Sequence, residues 1–443
     1  MSRLGGRLTI ALAIGGVVIA VPAATAHSAS WHLDRSFGRR GVAGLPLREH
    51  ARGTLLAPGP QGSVFVGGYA NRRKGAFLVA RLSASGRLVK SFGSGGVSTV
   101  PAIYAFPQDP PRLFALPGGR LLIIGLDRED HLAAARLTAR GRPDRAFGHS
   151  GVAQYALRGV HGFATVTAAA DEPDGDLLAV YQREAAQPVN EPQIPRGLGE
   201  GQIELIRLLP GGALDRSFGE GGFLRAPGET PTLAGYPGTG AGWACEQTID
   251  DDGSLLLAYE QAAAPSNSAE VPAVEKLSPI GADFPGFGAR GAVFLPFVPM
   301  AGGSSSELCD GLFSLPGGAV EAGFGGGGDG TNSDLVELFR FTPAGDLDPS
   351  FRGSGYVTVG GPVSTLALAR DGETFSAGIS GDALVVGGTL ADGAPDPALG
   401  ASSGRRFATD LPRQGSNDRT VELLPGTHSM NIRVGEDLVR ISD

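Results

Sequence analysis

The chain has 443 residues, with 37 Lys and Arg against 45 Asp and Glu, and its net charge of −8 argues against a nucleic-acid or anionic-membrane partner. Its 71 glycines and 32 prolines are many, but 42% hydrophobic content is enough for a core and argues against a disordered chain. Glycine scattered between short apolar runs reads as tight turns joining short strands.

The first element is not part of the fold. Arg3 and Arg7 precede an apolar run over 8–21, followed by Pro22 and Ala24-Thr25-Ala26. This predicts a secretory signal peptide over 1–26, cut before His27, with an uncleaved anchor as the alternative. No cysteine follows the run, which argues against a lipid-anchored lipoprotein, and no second segment has the length and apolarity to span a membrane. Without residues 1–26 the chain holds 35 basic and 45 acidic residues, a net charge of −10.

From there the chain repeats itself. LDRSFGRRG (33–41) returns as LVKSFGSGG (88–96), PDRAFGHSG (143–151) and LDRSFGEGG (214–222), with looser copies at 283–291, 347–355 and 395–403. A second mark is a small-residue turn before an apolar run, as in PQGSVFVGG (60–68), PGGRLLIIG (117–125) and DDGSLLLAY (251–259). Gly-Gly and Asp-Gly there predict two-residue hairpin loops, which need positive φ. The third mark is an alternating strand ending in a basic residue, and the spacing to the turn aromatic is 11 residues from Arg81 to Phe92, Arg136 to Phe147, Arg207 to Phe218, Lys276 to Phe287 and Arg340 to Phe351. A constant spacing means a fixed register across a tight turn. The sixth copy, ALVVGGTLADG, lacks the basic residue.

Each repeat then supplies four short antiparallel strands, and seven repeats predict an all-β fold, a seven-bladed β-propeller formed by residues 27–443 as a single domain. The last repeat stops after its third strand, and residues 31–47 supply a spare fourth. The ring is therefore predicted to close by the N-terminal strand pairing in the C-terminal blade, which removes two open sheet edges.

The pattern "RL…G-x-L-D-x-S-F-G-x-x-G-V…D-G" resembles the delta-60 repeat of secreted bacterial proteins, and the turn positions here are 55, 55, 71, 69, 64 and 48 residues apart. The resemblance covers nearly all of the chain after residue 26. It implies a β-propeller and no settled activity.

Asp34, Asp144, Asp215, Asp348 and Asp396 each lie three places before the turn residue, where a carboxylate is expected to accept backbone N–H groups. Phe37, Phe92, Phe147, Phe218, Phe287 and Phe351 are expected to pack between neighbouring blades, and the third-strand Arg is expected to pair with the turn Asp of its own repeat. Long insertions (183–201, 226–244, 262–271, 297–308 and 324–333) all fall on the face opposite these turns, where a rigid frame would carry functional loops. Among them Tyr236, Trp243, Glu246 and Asp250 are the binding candidates. Cys245 and Cys309, the only cysteines, are expected to form a disulfide between adjacent blades if their Cα atoms come within about 7 Å.

No residues are predicted to be catalytic and no metal or cofactor is expected. Asp250 to Gly253 and Asp171 to Asp176 resemble calcium loops without the alternating ligands or distal Glu of an EF-hand. GFGGGG (323–328) joins strands and has no helix to hold a phosphate. The sequence thus predicts a secreted, monomeric binding scaffold whose partner is a glycan or protein of the cell envelope. The alternative is an extracellular propeller enzyme, a lyase or hydrolase with its site at the channel mouth; a third reading is a structural envelope component.

Overall fold

The structure, a computed structural model, describes residues 31–45, 47, 55–69, 76–104, 111–129, 131–155, 164–171, 177–184, 201–225, 243–250, 252–262, 270–280, 282–295, 308–326, 333–369, 371–381, 383–400, 404–407, 421–426, 428–434 and 437–443. It is an all-β propeller of four-stranded antiparallel blades.

Four of the sheets are simple four-strand meanders, such as Trp243–Ile249, Leu255–Ala262, Glu270–Leu277 and Ala292–Phe294. A sheet of five strands joins Val421–Pro425, Ser429–Val434 and Asp437–Ser442 to the N-terminal strands His32–Leu33 and Val42–Gly44. The pairings Val42↔Val439 and His32↔Ser442 fix that register. The last sheet has eight strands, because one bridge, Tyr104↔Leu126, links the meanders of the first and second repeats. Seven separate blades were expected, whereas the strands partition into six sheets.

The hairpins differ from expectation. Leu116 pairs with Arg120 and Leu315 with Ala319, which leaves three loop residues, not two. The chain here takes a turn followed by a left-handed glycine, such as Gly119 at φ +75° and Gly318 at φ +83°, the three-residue solution that twisted strands also accept.

The core lies between repeats. Phe65 and Phe77 of the first pack with Leu121 and Ile123 of the second; Val336 and Phe351 of the fifth pack with Leu366 of the sixth. The six turn phenylalanines are at most 3% exposed. Phe92 and its equivalents fill the seam because the next repeat offers a glycine to them. A Cβ on Gly141 would stand 2.9 Å from the Phe92 ring and 2.8 Å from Gly93 N. The turn backbone is tied at the same seams: Gly38 N donates to Ser85 O, Gly93 N to Arg140 O, Gly148 N to Gly211 O and Gly288 N to Ala344 O, all at 2.8–2.9 Å.

The turn aspartates accept from the backbone two residues on. Ser36 N, Ala146 N, Ser217 N, Ser350 N and Ala398 N donate to Asp34, Asp144, Asp215, Asp348 and Asp396 at 2.8–3.1 Å.

The third-strand cations do more than pair with these aspartates. Arg136 and Arg207 do bond Asp144 and Asp215, each at 2.8 Å. Arg340 instead takes Glu321 of its own second strand, Arg440 takes Asn431, Arg81 takes Ser63, and Lys276 takes Asp250. Partner choice follows which acceptor the neighbouring strand brings within reach; Val89 and Phe284 stand where Asp would serve Arg81 and Lys276. Arg136, Arg207, Arg340 and Arg440 also lie over Phe147, Phe218, Phe351 and Phe37 at 4.2–4.8 Å. Three of them reach the next repeat: Arg136 donates to Pro210 O, Arg340 to Ala391 O, and Arg440 to Ala84 O.

Candidate functional site

The first strands of successive repeats pack against one another and form the inner edge of the propeller. Three of them, Ala164–Asp171, Trp243–Ile249 and Leu308–Leu315, are bulged at matching places: between Val166 and Ala168, Ala244 and Glu246, and Cys309 and Gly311. A bulge inserts one unpaired residue and re-aims the side chains beyond it. It is the local device that positions Glu246.

Glu246 touches solvent but is surrounded closely enough that burial pushes its carboxyl up, while the Arg112 guanidinium pulls it partly back. Arg112 opens the inner strand Arg112–Leu116 of the second repeat, and the third repeat's inner strand, Ala164–Asp171, packs against both of theirs. An acid and a base from two non-adjacent repeats therefore interact at the inner edge. A carboxyl raised in this way holds its proton closer to neutral pH, and with a guanidinium beside it the pair can donate hydrogen bonds to hydroxyl, carbonyl or carboxylate oxygens.

Asp250 lies just past the end of the same strand, about 13 Å from the mid-strand Glu246 at the usual rise per residue. It is 2% exposed, bonds Lys276 Nζ at 2.5 Å through Oδ2, and accepts from Ser314 Oγ at 2.8 Å through Oδ1. It joins the fourth repeat to the fifth on the turn face, away from Glu246. In the calcium-like stretch, the Lys276 ammonium stands between Asp250 and Asp252, 3.5 Å from the latter. The second such stretch falls mostly outside the described residues.

Trp243 pairs through its backbone with Glu260, and Cys309 with Phe324; Cys245 is the bulged residue. The side chains of Trp243, Cys245 and Cys309, and all of Tyr236, lie outside the described residues. So do the insertions over 185–200, 226–242, 263–269, 296–307 and 327–332.

Sequence reading missed a group on the face opposite the turns, where DREDH (127–131) connects the second and third strands of the second repeat. One ligand atom each from Asp127, Glu129 and His131 lies within 4.8 Å of the others, a set able to hold a divalent ion. The geometry also has an internal account. Asp127 Oδ1 accepts from Glu129 N at 2.8 Å and His131 N at 3.0 Å, and Oδ2 accepts from Gln154 Nε2 at 2.8 Å with His131 Nδ1 at 3.2 Å. Both oxygens cap the turn, and Glu129 is 77% exposed. The D-x-E-x-H spacing was the available signal.

Among the described residues no helix is long and apolar enough to cross a membrane. No family model matches the chain. No curated protein matches it. Among solved structures it is similar to prolyl oligopeptidase B from Galerina marginata at 10% identity and a TM-score of 0.45, over 87% of this chain and 47% of that one. The chain thus spans about half the length of that protein. It is similar also to the WD40 domain of coronin from Toxoplasma gondii (10% identity, TM-score 0.44, 93% of this chain and 84% of that one). YCF48 from Cyanidioschyzon merolae is a third such likeness, at 12% identity and a TM-score of 0.42 over 94% of this chain and 99% of that one.

Proposed function

We propose that the chain is a secreted, monomeric binding scaffold of the delta-60 repeat kind, a seven-bladed propeller that recognises a glycan or protein of the cell envelope through its inner edge and loop-bearing face. Support for the blade count comes from the core, which falls into seven apolar clusters at the seams between repeats. The bridge Tyr104↔Leu126 is then a contact between two blades. Support for closure comes from the last-to-first seam. There Glu422 Oε2 accepts from Leu55 N at 3.1 Å, Arg433 Nη1 donates to Gly67 O at 2.7 Å, and Leu438 packs with Leu56 and Val64.

The observation that carries the functional reading is the electrostatic coupling of Glu246 to Arg112 of a different repeat, on a frame whose other face is tied down by recurrent turns. A hydroxyl-rich glycan or a peptide suits a carboxyl and a guanidinium presented on one inner edge. Thermal-shift measurements against envelope glycans, cell-wall fragments and calcium, with and without EDTA, test it. A ligand-dependent rise in Tm that is lost in Glu246→Gln or Arg112→Met is the expected result. Shifts unchanged in both variants would move the binding elsewhere.

The same pair favours a second reading, an enzyme in which Glu246 serves as general acid. Release of product from a bound glycan, abolished by Glu246→Gln while binding persists, would select it.

A further inference from the structure

The sixth repeat keeps the acceptor of the third-strand cation and has lost the cation. Asp396 N donates to Gly388 O at 2.8 Å, as Asp144 N does to Arg136 O, so Gly388 stands where Arg136 does. Phe375 pairs with Gly388 as Phe65 pairs with Arg81, which puts Glu373 in the place of Ser63. In the first repeat that serine receives Arg81 Nε at 3.1 Å. In the sixth, a carboxylate faces an empty donor position.

The Glu373 side chain has folded into the space left. A Cβ on Gly388 would lie 2.5 Å from Glu373 Oε1, 3.0 Å from Asp396 Cβ and 3.0 Å from Leu399 Cδ1. Oε1 is sealed from solvent with no hydrogen-bond partner among the described residues. The carboxyl hydrogen bonds with Asp396, and two carboxyls bond only while one keeps a proton. Burial first, then the charges of Asp396 and Asp371, push Glu373 up to about 8.

The location gives the pair a consequence. Leu399, fully buried, belongs to the cluster that joins the sixth repeat to the seventh together with Trp31, Phe375, Val421 and Met430. At other seams a cation crosses to the next repeat, as Arg136, Arg340 and Arg440 do. Gly388 sends nothing across here.

We propose that Glu373, packed against Asp396, is a proton lock that keeps the seam between the sixth and seventh repeats closed while Glu373 holds a proton and loosens it when Glu373 ionises. Among the described residues, Asp371 of its own repeat faces the pair. The fifth contributes Arg340, which is spent on Gly372 O, Ala391 O and Glu321, and Arg352, whose Cγ lies over Gly393. Arg405 reaches Ala398 O at 3.4 Å, and the hairpin of the seventh repeat carries His428, paired with Asp443 at 3.4 Å.

Hydrogen exchange of the full chain between pH 6 and 9, corrected for intrinsic rates, tests the proposal. In the wild type, segments 374–380 and 421–425 are expected to lose protection by up to about tenfold per pH unit as pH rises from 6 toward the midpoint near 8, and to level off above it. Glu373→Gln supplies a permanent donor and should hold protection flat. Asp396→Asn, which keeps the turn acceptor, should move the midpoint of the response to lower pH and covers the case in which the first variant fails to fold. A wild-type response surviving in Glu373→Gln, an unshifted midpoint in Asp396→Asn, or a loss spread evenly over all repeats would overturn the idea.

Discussion

Arg136 and Arg81 occupy equivalent positions with unequal surroundings, and replacing each with Met turns that difference into a measurement. Arg136 is 8% exposed, bonds Asp144 at 2.8 Å and Pro210 O at 2.6 Å, and lies 4.8 Å over Phe147. Each hydrogen bond to a charged group is worth about 1.5–3 kcal/mol and the cation over the ring about 0.5–2 kcal/mol. Asp144, only 15% exposed, would lose that partner. Arg136→Met should therefore cost about 3–5 kcal/mol, in the range for breaking a buried pair. Arg81 donates to Ser63 Oγ at 3.1 Å and Pro60 O at 3.5 Å, neither charged nor in the next repeat, lies farther from its ring, 5.6 Å from the centroid of Phe65, and is more exposed. Arg81→Met should cost about 1 kcal/mol. Urea denaturation of the two variants measures the difference, and a double-mutant cycle of Arg136→Met with Asp144→Ala isolates the pair, with coupling of about 1–3 kcal/mol expected. Equal costs for the two arginines, or no coupling to Asp144, would refute the stabilising role given to Arg136.

Two further outcomes are expected. Burial pushes the Glu275 carboxyl from 4.5 up to about 7, with Asp283 adding to the rise. Its folded value lies above its unfolded one, so the stability it contributes is present below about pH 4.5 and lost as pH rises through about 7, roughly 3 kcal/mol in all. Tm measured from pH 4 to 8 should fall, less steeply in Glu275→Gln; an equal slope in the variant would show that Glu275 is not responsible. Deleting residues 31–45 removes the strand on Asp437–Ser442, the Phe37 ring under Arg440 and the Trp31–Phe375 contact at 5.5 Å. The Tm should drop by ~10 °C or more, and an unchanged Tm would show the pairing to be dispensable.

Much of the frame was legible because it is periodic. The constant 11-residue spacing fixed the strand register, the turn phenylalanines marked the seams, and the unpaired first copy of the turn pointed to the last sheet. What escaped is what depends on a neighbouring repeat or an extra residue. Arg340 and Asp348 have the spacing of Arg136 and Asp144, yet Arg340 takes Glu321, because a longer acidic side chain on the adjacent strand reaches it first. Asp250 and Glu246 are close in sequence, but one follows the end of the strand and the other sits at its middle, beyond the bulge. The bulge that places Glu246 leaves no mark in composition, and its meeting with Arg112 joins positions more than a hundred residues apart.

The pairing of His32 with Ser442 also sets an order of events. It waits until residue 442 has been made, whereas the other seams join consecutive repeats and can form as each one emerges. Until then Asp437–Ser442 and the first repeat both present unpaired edges, the form in which a strand is most readily taken by another molecule. The entropy of bringing such distant ends together grows only logarithmically with the intervening length, about 0.6 kcal/mol per doubling, so the final step is demanding in time more than in free energy. A rate-limiting last pairing, slowed selectively by changes in residues 31–45, is the kinetic signature that follows.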